Sequence, residues 1–114
     1  MNPKNNVKIN PAALKTLQQL DDVAHGINTT GTFALLVLHM NGDNVAKVPM
    51  TQLINSDVQK ARIAGVRLDT NQSIQSMVDR TLTILEKHHI IKAENLPLSN
   101  GEVCYRINPK LAQL

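Results

Sequence analysis

From Thr32 to Met40 the chain is apolar on nearly every side, with Phe33, Ala34, Leu35, Leu36, Val37 and Leu38 following one another without a charge. A segment with no polar face must lie in the centre of a fold, as a buried helix or a buried strand. Thr32 as a capping residue and Asn41-Gly42 as a stop favour the helix. The other elements have to wrap around it.

The material for that wrapping is aliphatic. Phe33 and Tyr105 are the only aromatic residues, 2% of 114. Recognition of splayed single-stranded bases on stacked rings is therefore disfavoured. The length suits one compact domain, the commonest domains having roughly 100 to 150 residues, and excludes two or three enzyme-sized ones. Cys104 is the sole cysteine. With no second cysteine there is no intramolecular disulfide and no CxxC pair, which fits a reducing, intracellular setting. The apolar run Phe33 to Leu38 is far short of the roughly 20 residues that span a bilayer, and the residues after Met1 are polar. A soluble, cytoplasmic protein without membrane contact is expected.

Net charge is +3, from Lys+Arg 12 against Asp+Glu 9. Up to Asp57 the charges balance: Lys4, Lys8, Lys15 and Lys47 stand against Asp21, Asp22, Asp43 and Asp57. The excess lies wholly in the second half, where Lys60, Arg62, Arg67, Arg80, Lys87, Lys92, Arg106 and Lys110 face Asp69, Asp79, Glu86, Glu94 and Glu102. Such a half suits nucleic acid, although a solvated basic face without a partner has the same composition.

Along the chain, residues 1–9 lack periodicity and read as a flexible N-terminal arm. Asn10 as cap and Pro11 at the first helical position open a helix over residues 11–25, with Leu14, Leu17, Leu20, Val23 and Ala24 at helical spacing and Gly26 as its stop. After the Thr-rich turn Asn28 to Gly31 and the central segment, Val45 to Val48 is a short strand closed by Pro49. Leu53, Ile54, Val58, Ala61 and Ala64 fit one helical face, but Asn55-Ser56-Asp57 is a good break, so residues 50–65 form one helix or two. Asp69 and Thr70 cap the strongest helical pattern, Ile74, Met77, Val78, Thr81, Leu82 and Leu85, over Asn71 to His88. Ile90 to Glu94 and Glu102 to Ile107 are strand-like, joined by the turn region Asn95 to Gly101.

The stretch "QSIQSMVDRTLTILEKHHIIKAENLPLSNGEVCYRI" resembles the winged helix-turn-helix family. It is similar to that family's recognition helix, followed by an exit Leu85-Glu86-Lys87-His88-His89-Ile90-Ile91 and a wing whose second strand holds Tyr105. The resemblance covers about Thr32 to Pro109 and implies a mainly α fold with a small β-hairpin (α+β), residues 10–114 forming one winged-helix domain with core 32–109 and an extra N-terminal helix. It further implies that the N-terminal part of the third helix enters the major groove of double-stranded DNA. The base-contacting candidates are Asn71, Gln72, Ser73, Gln75, Ser76 and Arg80, because Asn and Gln can bond an adenine edge through two atoms, Arg a guanine edge, and Ser either. The solvated face of any amphipathic helix has the same polarity. Lys60, Arg62 and Arg67, with no acid among them, are the phosphate candidates just ahead of that helix, with Lys92 and Arg106 in the strand stems of the wing. The wing tip Asn95 to Gly101 holds no Lys or Arg. The segment Ala61-Arg62-Ile63-Ala64-Gly65-Val66 resembles the alanine-glycine turn of the motif, with about three extra residues before Ile74.

No metal or other cofactor is expected. Adjacent His88 and His89 diverge, and His25, His39 and Cys104 have no ligand spacing. Asp21-Asp22 reads as surface charge, and neither a phosphate loop nor a nucleophile elbow is present, so an enzyme is not expected. The leucine face of helix 11–25 packs on the same core or, with Leu111 and Leu114, forms a homodimer suited to a palindromic site. The functional expectation is a sequence-specific DNA-binding regulator of a bacterial, plasmid or phage system. The alternatives are a winged-helix protein-interaction module and a plasmid replication or partition accessory.

Overall fold

The computed structural model describes residues 8–23, 28–63, 71–94 and 101–113, with side chains described except at 59–63 and 71–74. In chain order the elements are β1 (Lys8–Ile9), α1 (Pro11–Val23), α2 (Thr29–Leu38), β2 (Val45–Pro49), α3 (Met50–Ile63), α4 (Asn71–Lys87), β3 (Ile91–Ala93), β4 (Glu102–Ile107) and β5 (Ala112–Gln113). The result is a small α+β globule of helices around an antiparallel sheet of order β2-β4-β3, with β1 and β5 paired separately. None of the described helices is long and apolar enough to cross a membrane.

The apolar segment is a helix at the centre. α2 touches α1, α3, α4, β2 and β4, and its Phe33, Leu36 and Val37 meet Leu17, Leu53, Val78, Leu85 and Ile107 in one aliphatic cluster. Each such side chain contributes about 1.5–3 kcal/mol by leaving water. α2 begins at Thr29, not at Thr32, because its first four amides all find acceptors upstream. Thr29 N and Thr30 N donate to the two carboxylate oxygens of Asp21 at 2.7 and 3.2 Å, Gly31 N to Asn28 Oδ1 at 3.1 Å, and Thr32 N to Asn28 O at 3.1 Å. Thr32 is thus a buried interior residue. Asp21 is not simple surface charge: burial raises its pKa, but hydrogen bonds from Thr29 and Thr30 outweigh that and hold it below the ordinary aspartate value.

Residues 50–63 form one helix. Asn55-Ser56-Asp57 does not break it, because Asn28 Nδ2 donates to Ser56 Oγ and Asp57 Oδ1, each at 3.1 Å, and draws this turn onto the α2 cap. The N-terminal arm ends before Lys8, since Lys8 and Ile9 pair with Gln113 and Ala112. Asn44, at φ 63°, secures the same C-terminal segment by donating from Nδ2 to Ile107 O at 3.2 Å and Ala112 O at 2.7 Å. β2 runs one residue further than its proline suggested, Pro49 lying opposite Glu102 at the end of an outer strand where no donor is needed. Gly26, Gly65, the wing tip 95–100 and Leu114 lie outside the described residues.

α4 closes in a Schellman turn, with Ile90 N donating to Leu85 O and His89 N to Glu86 O, both at 3.0 Å. The left-handed position, usually glycine, is His89 at φ 58°. A side chain there costs about 1–2 kcal/mol, part of which glycine returns through its freer unfolded state. His89→Gly is therefore expected to raise the unfolding free energy by about 0.5 kcal/mol, read as a higher urea midpoint at unchanged slope.

Candidate nucleic-acid interface

α4 is held by its inner face. Val78, Thr81, Leu82 and Leu85 are buried, and Thr81 Oγ1 donates to Met77 O at 2.9 Å while accepting from Asn28 N at 3.1 Å. The 3.6-residue period then turns Ser76, Arg80, Thr83 and Lys87 outward along one stripe, all four exposed. Ser76 and Arg80, two of the base-contacting candidates, lie one turn apart on it. Thr83 and Lys87 share the stripe and were missed as candidates, although the same i, i+4 and i+3 spacing places them there.

Gln75 does not join this stripe. It is half-buried, and its Nε2 donates to Asp79 Oδ1 at 3.2 Å and contacts Met50 Sδ at 3.7 Å. Its amide nitrogen is engaged by Asp79 and by Met50 at the start of α3, off the exposed stripe. Asn71, Gln72 and Ser73 belong to the first turn of α4, and Lys60 and Arg62 to the last turn of α3; the side chains of these five, and Arg67 altogether, lie outside the described residues.

On its hairpin side α4 is acidic. Tyr105 of β4 is half-buried, and its hydroxyl pKa is raised first by burial and then by Glu86 and Asp79. In the stems, Lys92 and Arg106 are exposed and stand directly opposite each other on β3 and β4. Arg106 is already engaged, its Nε donating to Glu94 Oε1. Cys104 is buried on the same strand, where desolvation raises its pKa against the opposing pull of Lys47.

Among the described residues no group of three or more His, Cys, Asp or Glu is placed to hold a metal ion. His39 Nε2 shares a hydrogen bond of 2.8 Å with Gln52 Oε1, and His88 and His89 are exposed at the end of α4. α1 spends Ala13 and Leu17 on the chain's own core, leaving Leu14 40% and Val23 83% exposed. Comparison of the chain with protein-family models, with curated proteins and with solved structures returned no match.

Proposed function

We propose that the chain is a winged-helix protein that binds double-stranded DNA in a sequence-specific manner and acts by occupancy, without catalysis, as a cytoplasmic regulator in a bacterial, plasmid or phage system. The observation that carries this reading is the helix α4, anchored by its buried side and presenting Ser76, Arg80, Thr83 and Lys87 to solvent along one stripe. Support also comes from the element order α2-β2-α3-α4-β3-β4, a buried helix, a short strand, two further helices and a closing hairpin, which is the order of elements in the family the sequence resembles. In this reading Ser76 and Arg80, with Asn71, Gln72 and Ser73 ahead of them, meet base edges. Lys60, Arg62, Arg67 and Lys92 hold phosphates. A role as a plasmid replication or partition accessory uses the same surface and differs only in the DNA site recognised. Pairing of two copies through α1 and the C-terminal segment is compatible with the exposed Leu14 and Val23.

A second reading, docking onto a protein partner, is favoured by a specific observation: Gln75 and Arg106 are occupied within the chain, and Asp79 and Glu86 line the hairpin side of α4. Fluorescence anisotropy with mixed-sequence duplex DNA separates the two. DNA binding predicts micromolar affinity at low salt that falls with added salt by a log–log slope of about −0.9 per phosphate neutralised. Absence of binding at low salt rejects the DNA reading.

A further inference from the structure

Asp79 is the one exposed acid on α4, Glu86 being half-buried. It stands three residues after Ser76 and four before Thr83, so the helical period makes it a neighbour of both on the shoulder of the exposed stripe. Its carboxylate is held in place: Gln75 Nε2 donates to Oδ1 at 3.2 Å and contacts Met50 Sδ at 3.7 Å, which ties the group to the start of α3. Among the described residues neither Asp79 nor Arg80 enters an ion pair. A carboxylate on a surface that meets phosphates lowers affinity for every duplex. A charge that repels unmatched partners and meets a donor on the right one exchanges that affinity for specificity. In the major groove the donors are the amino groups of cytosine and adenine. Adenine sets the acceptor N7 beside its amino group, which repels the second oxygen of a carboxylate, and cytosine does not.

We propose that Asp79 is a specificity-determining residue that accepts a hydrogen bond from a cytosine amino group, and that Gln75 is the residue that positions it. The inference rests on the reading of α4 as a DNA-binding helix and adds to it a residue type that phosphate attraction alone would exclude. Gln75 thus acts on the DNA through Asp79, without touching a base itself.

The test is selection of preferred sites from a random duplex pool by the full chain, followed by anisotropy titration of the preferred duplex and of its single-base-pair replacements. The parent chain is expected to prefer cytosine about tenfold at one position of the site. Asp79→Ala should abolish that preference. It should also bind unrelated duplexes about threefold more tightly at low salt, as loss of one like charge roughly 7 Å from a phosphate in water implies. Gln75→Ala keeps the charge but releases the carboxylate, and should weaken the same preference while leaving the other positions unchanged; full preference in this variant overturns the positioning role. If the parent binds DNA but Asp79→Ala shifts all duplexes by one factor, or no cytosine-dependent position responds to it, the proposal is overturned and the DNA reading stands. A parent chain that binds no duplex at low salt overturns both.

Discussion

Asn28→Ala is expected to lower the unfolding free energy by about 3 kcal/mol, more than a hundredfold in the folded-to-unfolded ratio. The side chain performs two tasks at once. As the cap of α2 it accepts from Gly31 N, and loss of such a cap costs about 1 kcal/mol. As a buried donor it serves Ser56 and the fully buried Asp57 of α3, and losing a hydrogen bond to a buried charged group costs about 1.5–3 kcal/mol. Asn10 provides the internal comparison. It caps α1 through the same chemistry, with Ala12 N donating to Oδ1 at 2.9 Å, but in solvent and without a buried carboxylate. Asn10→Ala should therefore cost about 1 kcal/mol. Equal shifts of the urea midpoint in the two variants would contradict the role assigned to the Asn28–Asp57 contact.

Gly31 reaches the same junction from another side. A Cβ built there would lie 2.5 Å from Asn28 Nδ2 and 2.8 Å from Oδ1. Those atoms are held by Gly31 N, Ser56 and Asp57 and cannot swing aside without giving up bonds. Gly31→Ala should thus approach the loss of Asn28→Ala, although alanine is ordinarily the better helix former.

That junction also shows why some elements were legible in the sequence and others were not. The start of α1 and the span of α4 follow from signals within a few residues: Asn10-Pro11 for one, and the Ile74 to Leu85 rhythm for the other. The start of α2 depends on Asp21, and the continuity of α3 on Asn28, which is 29 residues from Asp57. Local reading assigned Asp21 to solvent and left residues 50–65 as one helix or two, because turn propensity is what Asn55-Ser56-Asp57 expresses when no distant partner is known. In the candidate site, the exposure of Ser76 and Arg80 follows from helical period alone. Gln75 meets Asp79 at the i+4 spacing of its own helix, but its contact with Met50 reaches 25 residues away, and the opposition of Lys92 to Arg106 depends on strand register. Of these last two, neither is encoded in spacing.

The second large effect concerns binding. Arg62→Ala combined with Arg67→Ala is expected to weaken binding to every duplex about tenfold or more at low salt and to flatten the log–log salt slope by about 1.8, two phosphate contacts at about 0.9 each. Phosphates carry no base information, so the ratio between preferred and unrelated sites should stay constant in this variant. Arg80→Ala is the counterpart. It stands on the exposed stripe of α4, and its removal should cost about 1–3 kcal/mol on the preferred site while relaxing the choice at a single base pair. Arg80 is solvent-facing, and unchanged unfolding midpoints in both variants verify that binding alone is being read. If the double variant binds duplex DNA at low salt as tightly as the parent chain, the basic segment ahead of α4 does not hold phosphates. If Arg80→Ala weakens all duplexes equally, α4 grips the backbone rather than the bases, and the sequence-specific part of the function is lost while the electrostatic part stands.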